Sequence, residues 1–449
     1  MKKYSLFLLL ITLFSCSKEK QPEVSPEALT GVLNEMTEIM IHDVTNPPLA
    51  ARFFSYACLS GYEVMAQHDS SIHSMYGVLN GCPKIEQPQG LESHSASLAA
   101  VLAVMETSKK MQPSGSRMAA YEKHFLDSCK AIGFSEQTLE HSQKYAEQIS
   151  QQLLKYAKKD RYNRISNYPR YQAKNQEGNW YPTPPGYFSP VEPYFATVRP
   201  FTLDTCSQFK PVPPVAFSKD KNSEFYKLML INVEEKLPDD HKEIAAFWDC
   251  NPFALEDNGH LMVGMKKISP GAHWLGITGI ACKKAGLNLA QTLKMSTIVS
   301  ITLMDGFICC WDEKYRSNRI RPETAIRQLV DPNWRPFLQT PPFPEYLSGH
   351  STISTAVATV LTHYLGDHFA YTDTVEEPFG LKARSFTSFM QAADEAGMSR
   401  LYGGIHFMDA IVNGRTQGEK VGAWVIKKLE RKGLEENFVM SFSCINWIA

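Results

Sequence analysis

An all-α protein built from helical bundles is what this sequence predicts, on three observations. Long stretches space their apolar residues three and four apart, convincing alternating strands are scarce, and no internal repeat or low-complexity tract breaks the pattern. The 449 residues suffice for two or three compact lobes or one large helical domain. A net charge of −1 with 43% hydrophobic residues describes an ordinary globular chain. That balance argues against a nucleic-acid-binding surface and against an acidic interaction tail.

At the N-terminus, residues 1–16, "MKKYSLFLLLITLFSC", carry two lysines, a short apolar run and a Leu-Phe-Ser-Cys ending. The run falls short of the ~20 residues a membrane span needs, so it reads as a signal peptide. The ending resembles a bacterial lipoprotein box, which implies lipidation of Cys16 and an exported protein anchored to the cell envelope, in the periplasm or at the outer membrane. "SKEKQPEVSPE" behind it is a polar tether, and no further apolar run of spanning length is expected. Residues 17–160 form a helical region: "PEALTGVLNEMTEIMIHDV", "HSASLAAVLAVMETSKKM" and "SEQTLEHSQKYAEQISQQLLKYAKKD" all show the helical spacing. Residues 161–220, with "NWYPTPPGYFSPVEPYFATVRPF", are rich in proline and aromatics and lack a period, so they form a long irregular connector. Helical patterns resume through residues 221–449, in "SEFYKLMLINVEEKL", "LNLAQTLKMSTIVSITLMDGFICCWDEKY", "STISTAVATVLTHYL" and "GRTQGEKVGAWVIKKLERKG". Besides Cys16 there are nine cysteines; with an odd number at least one thiol stays free or pairs between chains, and no CxxC pair marks a framework.

Three short stretches of this last region carry the chemistry. In "KYRSNRIRP", Lys314 and Arg321 lie seven residues apart, close to two turns at ~3.6 residues per turn, which would put both cations on one helix face with Arg321 at its end before Pro322. In "PPFPEYLSGHSTISTA", Ser348, Gly349 and His350 open a helix whose first N–H groups lack intrahelical acceptors. Gly349 allows close backbone approach, Ser348 adds a hydroxyl, and His350 could protonate or hydrogen-bond a bound anion. In "SRLYGGIHFMD", Arg400 precedes His406, and Asp409 could orient the His406 ring through a hydrogen bond. Each stretch alone has an ordinary structural reading. Together they assemble one Lys, two Arg, a Ser-Gly turn and two histidines, a receptor for a tetrahedral oxyanion.

Lys-x6-Arg-Pro, Ser-Gly-His and Ser-Arg-x5-His in this order resemble the signature of the vanadium haloperoxidase and type 2 phosphatidic acid phosphatase superfamily. The resemblance is close over residues 311–409. "WYPTPPGYFSPVEPYFATVRPF" and "FWDCNP" extend it more loosely toward the exported, bacterial iodoperoxidase-like branch. It implies that Lys314, Arg321, Ser348, Gly349 and Arg400 hold the oxygens of vanadate, with phosphate able to occupy the same site. His406 would bond the vanadium and His350 would be the acid–base group. Two positions depart from the family: Leu347 stands where proline is usual, and Asp409 follows His406 by three residues rather than four.

The receptor alone does not separate two chemistries. Phosphoryl transfer would use His406 as nucleophile and His350 as acid, giving an acid phosphatase that vanadate inhibits. Halide oxidation would use resident vanadate, hydrogen peroxide polarised by Lys314, and a halide as second substrate. The resemblance supplies aromatic walls at Trp311, Phe343 and Phe253. These suit a polarisable anion and favour a peroxidase acting on iodide, with bromide second. A non-catalytic oxyanion-binding surface lipoprotein is the remaining alternative.

Overall fold

The structure, a computed structural model, describes residues 22–174, 176–257 and 262–430. The predicted signal peptide and Cys16 lie outside these residues, as does Cys444. Five helices open the chain: α1 (Pro26–His42), α2 (Pro47–Ala66), α3 (Ala96–Met111), α4 (Gly115–Ala131) and α5 (Glu136–Lys158). After the connector come α6 (Glu224–Glu234), α7 (Asp239–Phe247), α8 (Pro270–Lys284), α9 (Leu289–Ser317), α10 (Pro322–Leu329), α11 (Gly349–Leu365), α12 (Phe389–Tyr402) and α13 (Met408–Glu430). Among the described residues, two small antiparallel pairs interrupt them, β1 (Leu255–Asp257) with β2 (Met262–Gly264) and β3 (Tyr371–Asp373) with β4 (Arg384–Phe386). The protein is all-α in architecture.

Local chemistry explains where the helices start. Asn46, Ser95, Ser135, Ser223, Ser269, Asn288 and Ser388 each accept a backbone N–H from the first turn of α2, α3, α5, α6, α8, α9 and α12, respectively. Asn288 and Gln291 form a reciprocal capping box on α9.

The axis of the molecule is α9. Its residues from Leu289 to Trp311 are buried almost without a break, with α2 and α8 packed on one part of it and α11 and α13 on another. Contrary to the expectation that no apolar run reaches spanning length, α9 is long and apolar enough to cross a membrane, with mean hydropathy 1.4. All of that apolar window is buried inside the protein, so α9 is a core helix.

Two sets of contacts position the site region. The Asp305 carboxylate in the middle of α9 accepts the backbone N–H groups of Phe201 and Thr202 at 2.7 Å and the Thr202 hydroxyl at 2.6 Å, which pins the connector to the core. On α13, a Cβ at Gly414 would lie 2.9 Å from the Ser348 carbonyl, and one at Gly422 would lie 2.6 Å from the Ala356 carbonyl. Only glycine lets α13 approach α11 this closely, and that approach sets the start of α11.

The eight described cysteines are all free thiols. None is paired with another described residue through a disulfide.

Candidate active site

Lys314 and Arg321 do not share a helix face. The α9 helix stops at Ser317, where Asn318 turns left-handed (φ 50°), and Arg321 is extended (φ −82°, ψ 153°) at the head of α10, with Pro322 behind it. Lys314 therefore reaches the site from the last turn of one helix and Arg321 from the threshold of the next. The Lys314 ammonium donates to the carbonyls of Pro344 (3.2 Å), Glu345 (3.1 Å) and Leu347. Arg321 donates from Nε to the Phe343 carbonyl and from Nη1 to the Ile405 carbonyl, both at 2.9 Å. Arg400, on α12, donates from Nη2 to the Trp248 carbonyl at 2.6 Å. All three cations are buried. Among the described residues none of them has a carboxylate partner.

Ser348 is the N-cap of α11. Its Oγ accepts from Ser351 N (3.2 Å) and Ser351 Oγ (2.9 Å), so its own hydroxyl proton is left to donate elsewhere. Gly349 follows, with space for a Cβ only up to Trp311, 3.7 Å away. His350 hydrogen-bonds the Trp248 backbone, while its Nε2 is buried without a partner. One pocket is lined by Gly349, His350, Arg400 and His406 together with Trp311 and Phe343. Phe253 is also on its wall. The Trp311 and Phe343 rings lie 5.0 Å apart, and Phe343 has Lys314 Nζ and Arg321 Cζ each 5.0 Å from its centroid. Its ring is thus an apolar wall that also faces two cations.

His406 meets a partner that its sequence neighbourhood does not suggest. Its Nδ1 lies 2.8 Å from Glu345 Oε1, which also accepts Phe407 N–H at 2.9 Å. A carboxylate facing Nδ1 places the proton there, and the Nε2 lone pair is then directed to the pocket, 3.2 Å from Arg321 Nη1. Asp409 does not touch His406. It forms a bidentate pair with Arg319 (2.6 and 2.7 Å), and Arg319 Nε donates to Glu345 Oε2 at 2.7 Å. With only Phe407 and Met408 between His406 and Asp409, the aspartate falls one position short and acts at one remove, through Arg319 and Glu345. Glu345 and Arg319, the two residues that sequence reasoning missed, sit inside stretches singled out for other reasons. A lone glutamate in the apolar approach to Ser-Gly-His was the signal available for Glu345.

The electrostatics agree with the geometry. Burial pushes Lys314 down to about 7, with Arg321 and Arg319 adding to the effect, and pushes Arg321 down to about 10. Burial, then the charge of Arg321, Lys314 and Arg400, holds His406 well below the usual histidine range. Burial and Arg400 do the same to His350. Every group is biased toward losing positive charge, which is the signature of a cationic cavity that an anion would relieve. Two buried atoms are orphaned: His350 Nε2, on a residue of the pocket wall, and Arg321 Nη2, on the guanidinium that meets the pocket residue His406. A tetrahedral oxyanion such as vanadate or phosphate fits this donor set, with the His406 Nε2 lone pair, which accepts from Arg321 Nη1 in this structure, able to bond its central atom once that guanidinium turns to the anion's oxygens.

Comparison with known proteins bears on the whole chain. The family model for the VCPO second helical-bundle domain matches residues 294–433, which contain all three motifs. No curated protein sequence matches. Among solved structures, one described as the first bacterial vanadium-dependent iodoperoxidase is 42% identical, covers 92% of this chain and 98% of its own, and superposes with a TM-score of 0.86. A holo-type bacterial vanadium-dependent chloroperoxidase is 15% identical over 93% of this chain and 100% of its own, with a TM-score of 0.68. Its apo-type counterpart gives 15% over 86% and 95%, with a TM-score of 0.62. At 15% the likeness is one of fold; at 42% over nearly the full length of both chains it is one of sequence as well. The chain belongs to the vanadium-dependent haloperoxidase family.

Proposed function

We propose that this protein uses hydrogen peroxide and resident vanadate to oxidise a halide to hypohalous acid, with iodide preferred and bromide second. The observation that carries the proposal is the pair of buried atoms without partners, Arg321 Nη2 and His350 Nε2, beside the His406 Nε2 lone pair. Bound vanadate would supply a Lewis-acidic centre that activates peroxide toward the halide. His406 Nε2 would hold the vanadium. Lys314, Arg321, Arg400, the Ser348 hydroxyl and the Gly349 N–H would donate to its oxygens. His350, held neutral by burial and by the charge of Arg400 and anchored through Trp248, is placed to take a proton at Nε2 from incoming peroxide. Lys314 would place a positive charge beside the group and so favour the loss of electron density from peroxide. Trp311, Phe343 and Phe253 keep water from the pocket and offer polarisable faces to iodide, the halide named for the 42% identical relative.

The test is peroxide-dependent triiodide formation by purified apoprotein, before and after vanadate is added. Activity that appears only with vanadate is the expected result. Hydrolysis of a phenyl phosphate, inhibited by vanadate and without iodide oxidation, would replace the proposal with a phosphatase. The same reading holds that the mature protein is exported and anchored through lipidated Cys16, which mass spectrometry of the N-terminal peptide from a bacterial membrane fraction tests.

A further inference from the structure

A second polar cluster, to which the halide-oxidation reading assigns no role, adjoins the pocket through Cys250, a residue of its wall. Cys250, in the loop after α7, His273, in the first turn of α8, and Glu376, just beyond β3, converge in the interior. Cys250 Sγ is 3.5 Å from His273 Nδ1 and 3.7 Å from Glu376 Oε1, and His273 Nδ1 is 3.3 Å from Glu376 Oε1. A tetrahedral zinc ion, with Zn–S of ~2.3 Å and Zn–N and Zn–O of ~2.0–2.1 Å, separates its ligand atoms by about 3.3 Å for N and O and about 3.6 Å for S and either. The three observed edges match that face of a tetrahedron. The opposite ring nitrogen, His273 Nε2, lies 2.8 Å from Asp373 Oδ2. A carboxylate on the far nitrogen of a histidine is the arrangement that orients a metal-bound imidazole. Two buried carboxylates flank the imidazole, so even with His273 protonated the cluster keeps a net negative charge that a divalent cation would offset.

We propose that Cys250, His273 and Glu376 bind one zinc ion, with solvent as fourth ligand and Asp373 orienting His273. A thiolate among the ligands selects zinc over magnesium or calcium. Binding displaces the thiol proton and any proton on His273 Nδ1 and involves no redox change. The ion would tie the loop after α7 to α8 and to β3. That loop carries Trp248, whose ring stacks on His273 at 4.7 Å and whose carbonyl receives Arg400. The zinc site would therefore hold one wall of the oxyanion receptor in place.

The test is metal analysis of the full-length protein, purified without vanadate from zinc-supplemented cells, with cobalt substitution as a spectroscopic readout. One zinc per chain is expected. Cobalt should give a thiolate charge-transfer band in the near ultraviolet that is lost in Cys250→Ser. Glu376→Gln, nearly isosteric, should release zinc to a chelator at least about tenfold more readily than wild type. Wild-type protein without stoichiometric zinc, both as purified and after refolding with zinc chloride, would overturn the proposal. Another metal bound in its place would do so too, as would zinc retained equally by wild type and both variants.

Discussion

Replacing Glu345 with glutamine should weaken vanadate binding more than any change at Asp409. The wild-type carboxylate accepts four contacts: His406 Nδ1 and Phe407 N–H on one oxygen, and Nε and Nη2 of Arg319 on the other. Glutamine offers one carbonyl oxygen and one NH2, so it must present donors to one of those pairs. The charged guanidinium makes the stronger claim on the oxygen, which turns the amide NH2 toward His406 Nδ1. The imidazole then answers with a lone pair at Nδ1 and a proton at Nε2, the tautomer that cannot bond vanadium. Loss of such a supporting hydrogen bond costs about 10- to 100-fold in metal affinity. That is about 1.4–2.8 kcal/mol, within the range for a hydrogen bond to a charged group. Equilibrium dialysis of apoprotein against vanadate measures it, with circular dichroism confirming the fold. Asp409→Asn leaves the contacts of Glu345 with His406 and Arg319 in place and should change the dissociation constant by less than about fivefold. Unchanged affinity in Glu345→Gln, or a larger loss in Asp409→Asn, would refute the reasoning and return the orienting role to the aspartate.

The same geometry has other testable consequences. His350 and His406 are held neutral in the fold, well below the histidine value of the unfolded chain. Their contribution to stability is complete above about pH 6.5 and is lost as pH falls through and below it, by up to about 1.4 kcal/mol per pH unit for each. Urea melts of the apoprotein from pH 7.5 to 5 should show this fall, and the double variant His350→Gln/His406→Gln should flatten it; equal slopes in both proteins would count against it. Vanadate should make only the His350 share of the slope shallower, because its negative charge favours a protonated neighbour whereas His406 bonded to it stays unprotonated. Asp305→Asn leaves the Phe201 and Thr202 N–H groups facing an amide and should destabilise the fold by about 2–4 kcal/mol, read as a lowered urea midpoint with unchanged slope. His406→Ala should abolish vanadate-dependent iodide oxidation while some anion binding by the three cations survives, checked by phosphate or vanadate dialysis.

The sequence carried the helical class and the residues of the receptor because both are written in local spacing: three-and-four periodicity for α2, α9 and α11, and short motifs whose residue types have few other uses in combination. What spacing could not carry was how motif residues meet. Lys314 and Arg321 look like neighbours on one helix at seven residues apart, yet the chain breaks at Asn318 and they come together only because each side chain reaches a different part of residues 343–347 or 405. The His406 partner was misplaced for a related reason. Asp409 is adjacent in sequence and carries the right chemistry, whereas Glu345 is 61 residues away. Arg319 resolves the two readings, because a guanidinium has enough donors to bind both carboxylates at once. In this chain the aspartate three residues after His406 does not reach the ring; it holds the arginine that holds the glutamate that does. The group that orients the histidine comes from a segment that sequence order keeps apart, and only packing shows which one.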